Sequence, residues 1–378
     1  MRKSFKFRIF PSKYQVTKLE TTLDICRELY NAALSERREA WKLNRKSITY
    51  FDQQNVLPEI KAIREDVAAI HSQVLQDVLR RLDKGFKAFF SRIKKSAKAG
   101  FPRFQSKHRY NSFTFAQSGF SISENRLTLS RIGKVKIKLH RAIIGKVKTL
   151  TISRDSCGTW FACFSVETAK EILEPTNKSV GIDVGLKTFA VLSDGVEITN
   201  PRFLKTDEKI LATAQRRLSL QAKGSKERHR KRKIVAKIHA SIKNRRSNFA
   251  HQVSSFLVKN YDQIFFEDLN IKGMMKNHCF SKAIGDVAWN QTVQYTTYKA
   301  EYAGRTVRSV NPRNTSQICS SCGKTVKKDL SVRIHHCLQC GLEICRDLNA
   351  AKNILTLGLQ SLGNQSLEAT SKLCLVVE

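Results

Sequence analysis

The chain has 378 residues, 41% of them apolar, a size that allows about two or three domains and at least one sizeable core. Its 68 Lys and Arg residues outnumber the 32 Asp and Glu residues, and the formal net charge of +36 predicts nucleic acid as the neutralising partner. The sequence has no run of the ~18 apolar residues that a membrane span needs, and it opens without a signal-peptide pattern. We therefore expect a cytoplasmic protein that binds no membrane, rather than a secreted or membrane-spanning one.

The first half of the chain predicts a sheet domain that is interrupted by helices. Apolar and basic residues alternate at 4–10, which predicts a short half-buried strand. Apolar residues then recur at helical spacing from Gln15, and again over about 70–93. Between about 110 and 170 the period changes to two, which predicts an antiparallel sheet or small barrel that includes the first strand. The helical unit would be inserted within this sheet domain, and a linker would follow at 171–178.

The second half predicts buried strands that alternate with helices. Short apolar runs bounded by Gly, Asn and Asp are typical of strands, and longer basic stretches are typical of helices. In chain order, the predicted elements are three strands in antiparallel succession, a basic helical stretch, a strand, a helix and a strand, at 180–185, 189–192, 196–198, 206–260, 264–267, 287–303 and 306–310.

Four of the ten cysteines form two matched CxxC pairs separated by fourteen residues, each followed by glycine. A two-residue spacer lets two thiolates bind one tetrahedral Zn²⁺, and the glycine lets the backbone turn toward the sulfurs. A redox pair or buried free thiols are the alternatives, but two matched pairs favour zinc. Adjacent His335 and His336 point apart, so we leave them out of the ligand set. Because four protein ligands would fill the coordination shell, the predicted zinc is structural, with the ligands Cys319, Cys322, Cys337 and Cys340.

Three carboxylates spread along the second half form a second candidate site. Asp183 lies within an apolar strand, Glu267 ends a later apolar strand, and Asp347 begins a helix directly after the cysteines. Each has an ordinary structural interpretation when it is taken alone. Asp183 would be a turn residue, Glu267 a solvated charge at a strand end, and Asp347 an N-cap or first-turn acid of a helix. Taken together, they match one edge of an RNase H-like fold, where carboxylates bind two Mg²⁺ ions roughly 4 Å apart.

Five segments of the sequence resemble the TnpB family, the transposon-encoded proteins similar to ancestors of type V CRISPR effectors. The order of these motifs makes the resemblance specific, and together they extend over most of the chain. In one departure, Cys345 stands where many members have an aspartate. The matching segments are GFPRF at 100–104, GIDVGLK at 181–187, FEDL at 266–269, TSQICSSCG at 315–323 and RDLNAAKNI at 346–354.

The resemblance implies a mixed α/β multidomain fold. It would combine an RNase H-like RuvC nuclease domain that carries a zinc-ribbon insert with a small β-barrel wedge domain that carries a helical insertion. The implied domains are the wedge barrel (1–10 and 108–174), the helical recognition domain (11–107), the RuvC domain (175–314 and 342–378) and the zinc-bearing target-nucleic-acid-binding domain (315–341).

The resemblance also implies an RNA-guided DNA endonuclease that cuts next to a short adjacent motif. Asp183, Glu267 and Asp347 would hold the two Mg²⁺ ions, and guide RNA would be a further cofactor. The resemblance implies a monomer that carries one RNA and acts in the prokaryotic cytoplasm. Its DNA partners would be the double-stranded target and the displaced single strand of that target. The alternatives are a nuclease-inactive RNA-guided repressor, which should have lost an acid, and a DDE-like transposase, which does not need so much positive charge.

Two sets of residues are candidates for nucleic-acid contacts. The resemblance implies that the adjacent motif is read near four residues whose side chains can hydrogen-bond to bases or stack on them, namely Tyr50, Gln54, Gln73 and Gln76. The alternative is that these residues form an ordinary solvated helix face. The basic stretch 216–246 is a candidate for gripping RNA, and here too the alternative is a solvated face. Its densest run is Lys231, Arg232 and Lys233.

Overall fold

A computed structural model describes residues 1–107, 109–329 and 331–374, with side chains described as far as 363. Two ends of predicted domains lie outside the described residues. They are residue 108, which begins the second predicted wedge segment, and residues 375–378, which end the predicted RuvC range. The chain divides into two compact units, Met1–Ala169 and Lys170–Glu378. Within the described part, no helix has the length and apolar character needed to cross a membrane.

The first unit contains a seven-stranded antiparallel sheet with the order β2-β6-β7-β1-β5-β4-β3. Strand β1 pairs with β5 and β7, which confirms that the first strand belongs to this sheet. Its Phe5, Phe7 and Ile9 are buried, whereas Lys6 and Arg8 are exposed. The hydrogen-bonded order ends at β2 and β3, so closure into a barrel stays a prediction. The strands are β1 (Arg2–Phe10), β2 (Ser112–Phe115), β3 (Phe120–Ser123), β4 (Arg126–Leu129), β5 (Gly133–Lys138), β6 (Lys146–Arg154) and β7 (Trp160–Glu167).

Helices between the first two strands share one apolar core with the sheet. Ser12 and Gln15 form a reciprocal capping box that begins the first helix at Lys13. The longest apolar helical patterns thus appear as α1 and α5, as predicted. The helices are α1 (Lys13–Asn44), α2 (Tyr50–Asn55), α3 (Leu57–Ile63), α4 (Glu65–Ala68) and α5 (Ser72–Lys94).

The second unit is built on a five-stranded sheet with the order β10-β9-β8-β11-β12. The first three strands run antiparallel in succession, as predicted, and β11 runs parallel to both β8 and β12. The strands are β8 (Ser179–Val184), β9 (Thr188–Leu192), β10 (Glu197–Thr199), β11 (Gln263–Glu267) and β12 (Thr306–Val310).

The helices of this unit include the predicted basic helical stretch 206–260. It is divided into two helices, because the chain turns at 220–225, where Gly224 has φ +88°. A short hairpin of β13 (Ile334–His336) and β14 (Glu343–Cys345) follows the sheet. The helices are α6 (Phe203–Ser219), α7 (Lys226–Asn260), α8 (Ile271–Met274), α9 (His278–Val287), α10 (Trp289–Ala303) and α11 (Arg346–Cys374).

The last helix lies directly on the central strand β8. A Cβ built on Gly181 would come within 2.2 Å of the Ala351 carbonyl oxygen, so only glycine permits this approach. Gly358 is equally constrained, since a Cβ there would lie 2.2 Å from the Phe265 ring. Gly181 on β8 and Gly358 on α11 therefore let the helix pack directly against the sheet.

Candidate active site and metal centre

Asp183 and Glu267 lie on neighbouring parallel strands. Phe266 is opposite Ile182 in the register of β11 and β8, so Glu267 and Asp183 are the next residues along the two strands. Parallel neighbours are about 4.8 Å apart in a sheet, which brings both acids to the same carboxyl edge. Both side chains are partly exposed, whereas Ile182 and Phe266 beside them are buried.

Asp347 reaches the same edge from α11, where it occupies the first turn. Its Oδ1 lies 4.0 Å from Nη1 of Arg333. Because α11 packs on β8 through Gly181, the first turn of this helix is held near Asp183. The structure therefore brings the three predicted acids to one region of the second unit.

The ionisation of Asp183 responds to burial and to the other two acids. Burial raises the pKa of Asp183 well above its usual value, and the carboxylates of Glu267 and Asp347 raise this pKa further. The guanidinium of Arg346 and the backbone N–H of Val184 oppose the shift. A buried carboxyl group with two further carboxylates near it is an oxygen donor set that suits a hard divalent cation.

Glu267 has an additional partner on a neighbouring segment. Burial raises the pKa of its carboxyl group, while a hydrogen bond from the Thr315 hydroxyl opposes that shift. Thr315 is 2% exposed, and its Oγ1 donates to Oε1 of Glu267 at 2.5 Å. This contact fixes the direction of the Glu267 carboxylate, and sequence reasoning did not find it.

Replacing Asp183 with Asn should stabilise the protein when zinc is the only divalent cation present. The raised pKa means that the folded protein holds the Asp183 proton more tightly than the unfolded chain, so stability falls as pH rises from about 4 through the folded value. Asn removes this cost, so the midpoint of thermal unfolding should rise by roughly 2–4 °C at pH 8 and hardly change near pH 4. Asp268→Asn, at an exposed neighbour of Glu267, is the matched control. An unchanged or lower midpoint at pH 8 for Asp183→Asn would contradict this account.

The four predicted cysteines form one tight cluster. Among the described residues, they are the one group of three or more His, Cys, Asp or Glu residues whose ligand atoms all lie within 4.8 Å of one another. Cys319 and Cys340 have their sulfurs 3.6 Å apart, and so do Cys322 and Cys337. A tetrahedral zinc site with metal–sulfur bonds of about 2.3 Å has sulfur–sulfur edges of about 3.8 Å, so the cluster fits Zn²⁺.

The backbone around the cysteines favours the thiolate form. Backbone N–H groups of Cys340 and Gln339 lower the pKa of Cys337 to about 6. The backbone N–H of Lys324 likewise lowers the pKa of Cys322, but burial and hydrogen bonds with the other three sulfurs outweigh it and raise this pKa to about 11. Gly323 and Gly341 have φ of +73° and +72° and donate their N–H groups to the Cys319 and Cys337 carbonyls. The two CxxCG pairs therefore form two similar turns that face each other.

The histidines beside the cluster are not part of the four-cysteine group. His335 is buried and contacts Nζ of Lys328 through Nδ1, whereas His336 lies 3.5 Å from Glu343. They occupy successive positions of β13 and so point to opposite faces.

The residues predicted to read the adjacent motif lie on α2 and α5 of the first unit. Tyr50 begins α2, packs partly buried against the core and accepts a 3.4 Å hydrogen bond from Arg80. Gln54 and Gln76 are partly exposed on these helices. The side-chain amide oxygen Oε1 of Gln73 already accepts from the backbone N–H groups of residues 117 and 118, at 2.9 and 2.8 Å.

A large groove beside Tyr50 was not predicted from the sequence. It has a volume of about 1450 Å³ and is lined mainly by basic and aromatic side chains of α1, α2, α5 and the segment 101–104, together with the acidic Glu39 and Asp83. Arg38 lies 5.3 Å from the Phe104 ring centroid, and Arg80 lies 5.7 Å from that of Tyr50. Aromatic faces beside cations suit unpaired bases. The exposed aromatic rings are those of Trp41, Phe51, Phe90, Phe101 and Phe104.

The basic run of the second unit lies near the start of α7. Arg232 and Lys233 are exposed, whereas Lys231 pairs with Glu227 at 3.1 Å. Lys231 also lines a cleft of about 390 Å³ between α6 and α7. Two of the three predicted cations are therefore presented to solvent, where they are accessible to a polyanion.

Comparisons with known proteins match three parts of the chain to family models. One described as "Probable transposase" matches residues 162–278, and one described as "Cas12f1-like, TNB domain" matches 289–354. A third, described as "Helix-turn-helix domain", matches 1–46, where the structure has strand β1 and the continuous helix α1.

Two relatives match almost the whole chain. The "Putative RNA-guided DNA endonuclease" of Streptomyces pristinaespiralis is 34% identical over 367 residues, covering 95% of this chain and 90% of the relative. The chain belongs to the TnpB family. The "Putative RNA-guided DNA endonuclease InsQ" of Escherichia coli (strain K12) is a further TnpB relative, 30% identical over 377 residues, covering 94% of this chain and 92% of the relative.

A solved structure supports the fold class of this TnpB chain. A chain of the cryo-EM structure of the Cas12f1-sgRNA-target DNA complex matches with a TM-score of 0.60 over 94% of this chain and 98% of that chain. At 13% sequence identity, the likeness concerns the fold alone. It confirms a mixed α/β architecture resembling Cas12 effectors.

Proposed function

We propose that this TnpB chain is an RNA-guided DNA endonuclease of a transposable element, cutting DNA next to a short adjacent motif. The observation that carries the proposal is the convergence of Asp183, Glu267 and Asp347 at one sheet edge. Relatives that match more than nine-tenths of the chain, at 34% and 30% identity, are named RNA-guided DNA endonucleases.

The three carboxylates would hold two Mg²⁺ ions during phosphodiester hydrolysis. When bound, such ions supply a water-derived nucleophile and charge stabilisation for the leaving oxygen. The protein contributes the fixed positions of the donors, because Asp183 and Glu267 lie on paired strands and Asp347 lies on a helix packed against them. Thr315 orients Glu267, and the carboxylates of Glu267 and Asp347 beside Asp183 concentrate negative charge that a divalent cation would neutralise.

We assign the parts of the chain as the sequence resemblance implies. The sheet of the first unit is the wedge domain, its helices at 11–107 are the recognition domain, and the sheet of the second unit is the RuvC domain. The segment 315–341 is the target-nucleic-acid-binding domain, with one structural zinc on its four cysteines. The family match described as "Cas12f1-like, TNB domain" over 289–354 supports this last assignment.

The charge of +36 supports nucleic acids as partners: guide RNA, double-stranded target DNA and the displaced strand, bound by a monomer that carries one RNA. Pairing between guide and target would choose the sequence, and the protein would read only the adjacent motif. Tyr50, Gln54, Gln73 and Gln76 are our candidates for that reading. Gln73 is the weakest of the four, because its side-chain amide oxygen already accepts two hydrogen bonds.

Neutralising the basic run on α7 should weaken RNA binding without altering target choice. In a variant with Lys231, Arg232 and Lys233 changed to Ala, the slope of log affinity against log salt should flatten by about two, because Arg232 and Lys233 are exposed and Lys231 is paired. The charge-conserving variant Lys231→Arg, Arg232→Lys, Lys233→Arg should keep the wild-type slope. An unchanged slope in the alanine variant would show that this run faces solvent in the complex.

A transposase that joins strands itself is the second candidate, and the match to the model described as "Probable transposase" favours it. The two activities give different products, since hydrolysis leaves free ends and strand transfer leaves joined DNA. A nuclease-inactive repressor is disfavoured because all three acids are present.

Sequencing the RNA that co-purifies with the full chain tests the proposal. We expect one structured RNA species whose variable end matches the DNA that the complex cuts. Random cellular RNA, with no enriched species, would contradict a guided mechanism.

A further inference from the structure

The segment that precedes and enters the first cysteine pair is bound on both sides. Thr315, Ile318 and Ser320 contact the acidic edge and α11 through buried or partly buried hydrogen bonds. Ser320 lies between the two cysteines of the first CxxC pair. A single short stretch of chain therefore joins the zinc cluster to the carboxylates.

Two asparagines of α11 make the contacts on the helix side. Asn349 is 0% exposed and Asn353 is 8% exposed, and their i, i+4 spacing puts both on one helix face. Asn349 accepts from the backbone N–H of Ser320 at 2.9 Å and donates to the Ile318 carbonyl at 2.7 Å. Asn353 donates to the carbonyls of Thr315 and Ile318, at 2.8 and 2.7 Å.

Buried amides with this many partners are costly to move, because any shift would leave a polar group unsatisfied. The register between the segment 315–320 and the first turns of α11 is consequently fixed. Asp347 lies two residues before Asn349 in the same helix, and Thr315 at the other end of the bridge donates to Glu267.

We propose that Thr315, Asn349 and Asn353 form a bridge that positions the acidic cluster for divalent cations and couples it to the zinc segment. They are positioning residues, since Thr315 acts through Glu267 and the asparagines act through the backbone that carries Asp347 and Thr315. The inference rests on the proposed function, in which these acids bind the catalytic metals. It adds that the zinc segment contributes to cation affinity and not only to nucleic-acid binding.

The test measures binding of Mn²⁺ to the zinc-loaded, full-length protein by electron paramagnetic resonance, alongside guided cleavage. Thr315→Val keeps the shape of the side chain but removes the hydroxyl, and should weaken Mn²⁺ binding about 10–100-fold, as loss of a partner of a metal ligand does. Thr315→Ser restores the hydroxyl and should recover most of the affinity. Thr296→Val is the matched control, because Thr296 is 0% exposed and its hydroxyl bonds only its own helix, at the Thr292 carbonyl.

Asn353→Ala provides an independent variant on the helix side of the bridge. It should weaken Mn²⁺ binding in the same direction, and combining it with Thr315→Val should cost less than the sum of the two changes, because both break one connected network. Guide RNA affinity should stay at the wild-type value in all of these variants.

Two results would overturn the bridge. Wild-type Mn²⁺ affinity in Thr315→Val is the first, and failure of Thr315→Ser to recover affinity is the second. If Glu267→Ala still cuts DNA, the proposed function itself fails; if Glu267→Ala is inactive and Thr315→Val is normal, only the bridge fails.

Discussion

Changing any one of Asp183, Glu267 or Asp347 to Ala should abolish DNA cleavage while guided DNA binding persists. Each acid is one of three oxygen donors at the same edge. Removing one group that stabilises charge in the transition state lowers the reaction rate by at least about 10²–10³-fold. Binding should survive, because the grip on phosphates comes from Lys and Arg elsewhere. A plasmid cleavage assay and a gel-shift assay on the same preparations measure the two properties.

Asp268→Ala is the matched control for this series, because Asp268 is adjacent to Glu267 but exposed. It should cut at close to the wild-type rate. Full cleavage by Asp347→Ala would refute its place in the cluster and redirect the assignment to Asp329 or Glu343, the acids nearest to it in the sequence.

Loss of the zinc cluster should also have a large effect. Cys337 is 1% exposed and its sulfur lies 3.6 Å from that of Cys322, so Cys337→Ser should reduce the zinc content from about one ion per chain toward none. The segment 315–320 enters this cluster and contacts both Glu267 and α11, so cleavage should fall together with the zinc content.

Elemental analysis and the plasmid assay together decide this prediction. Cys279→Ser is the control, because Cys279 is exposed in α9 and lies outside the cluster. Cleavage at the wild-type rate by a zinc-free Cys337→Ser protein would show that the cluster is not needed to order the acidic edge.

The acidic edge was predictable because its strands can be recognised from local pattern. Asp183 and Glu267 follow short apolar runs, and such runs become neighbouring buried strands when helices connect them. The cysteine grouping was predictable for a different reason, since the ligand spacing of a metal site is written in the sequence itself.

The supporting contacts were not predictable, because they depend on which distant segments meet. Thr315, Asn349 and Asn353 are ordinary polar residues until the fold buries them against one another. The break at 220–225 was missed because the flanking helices are basic on several faces and give no apolar stripe to mark their ends. The groove beside Tyr50 was missed since its aromatic rings come from separate elements.

Exchange of the guide tests most directly whether this TnpB chain is an RNA-guided nuclease. The protein is purified with its RNA, the variable end of that RNA is replaced by an unrelated sequence, and plasmids that carry either target beside the same adjacent motif are mixed with Mg²⁺. We expect cleavage to move to the plasmid that matches the new guide and to disappear in Asp183→Ala. Cleavage that stays at the original target, or occurs equally on both plasmids, would contradict an RNA-guided nuclease.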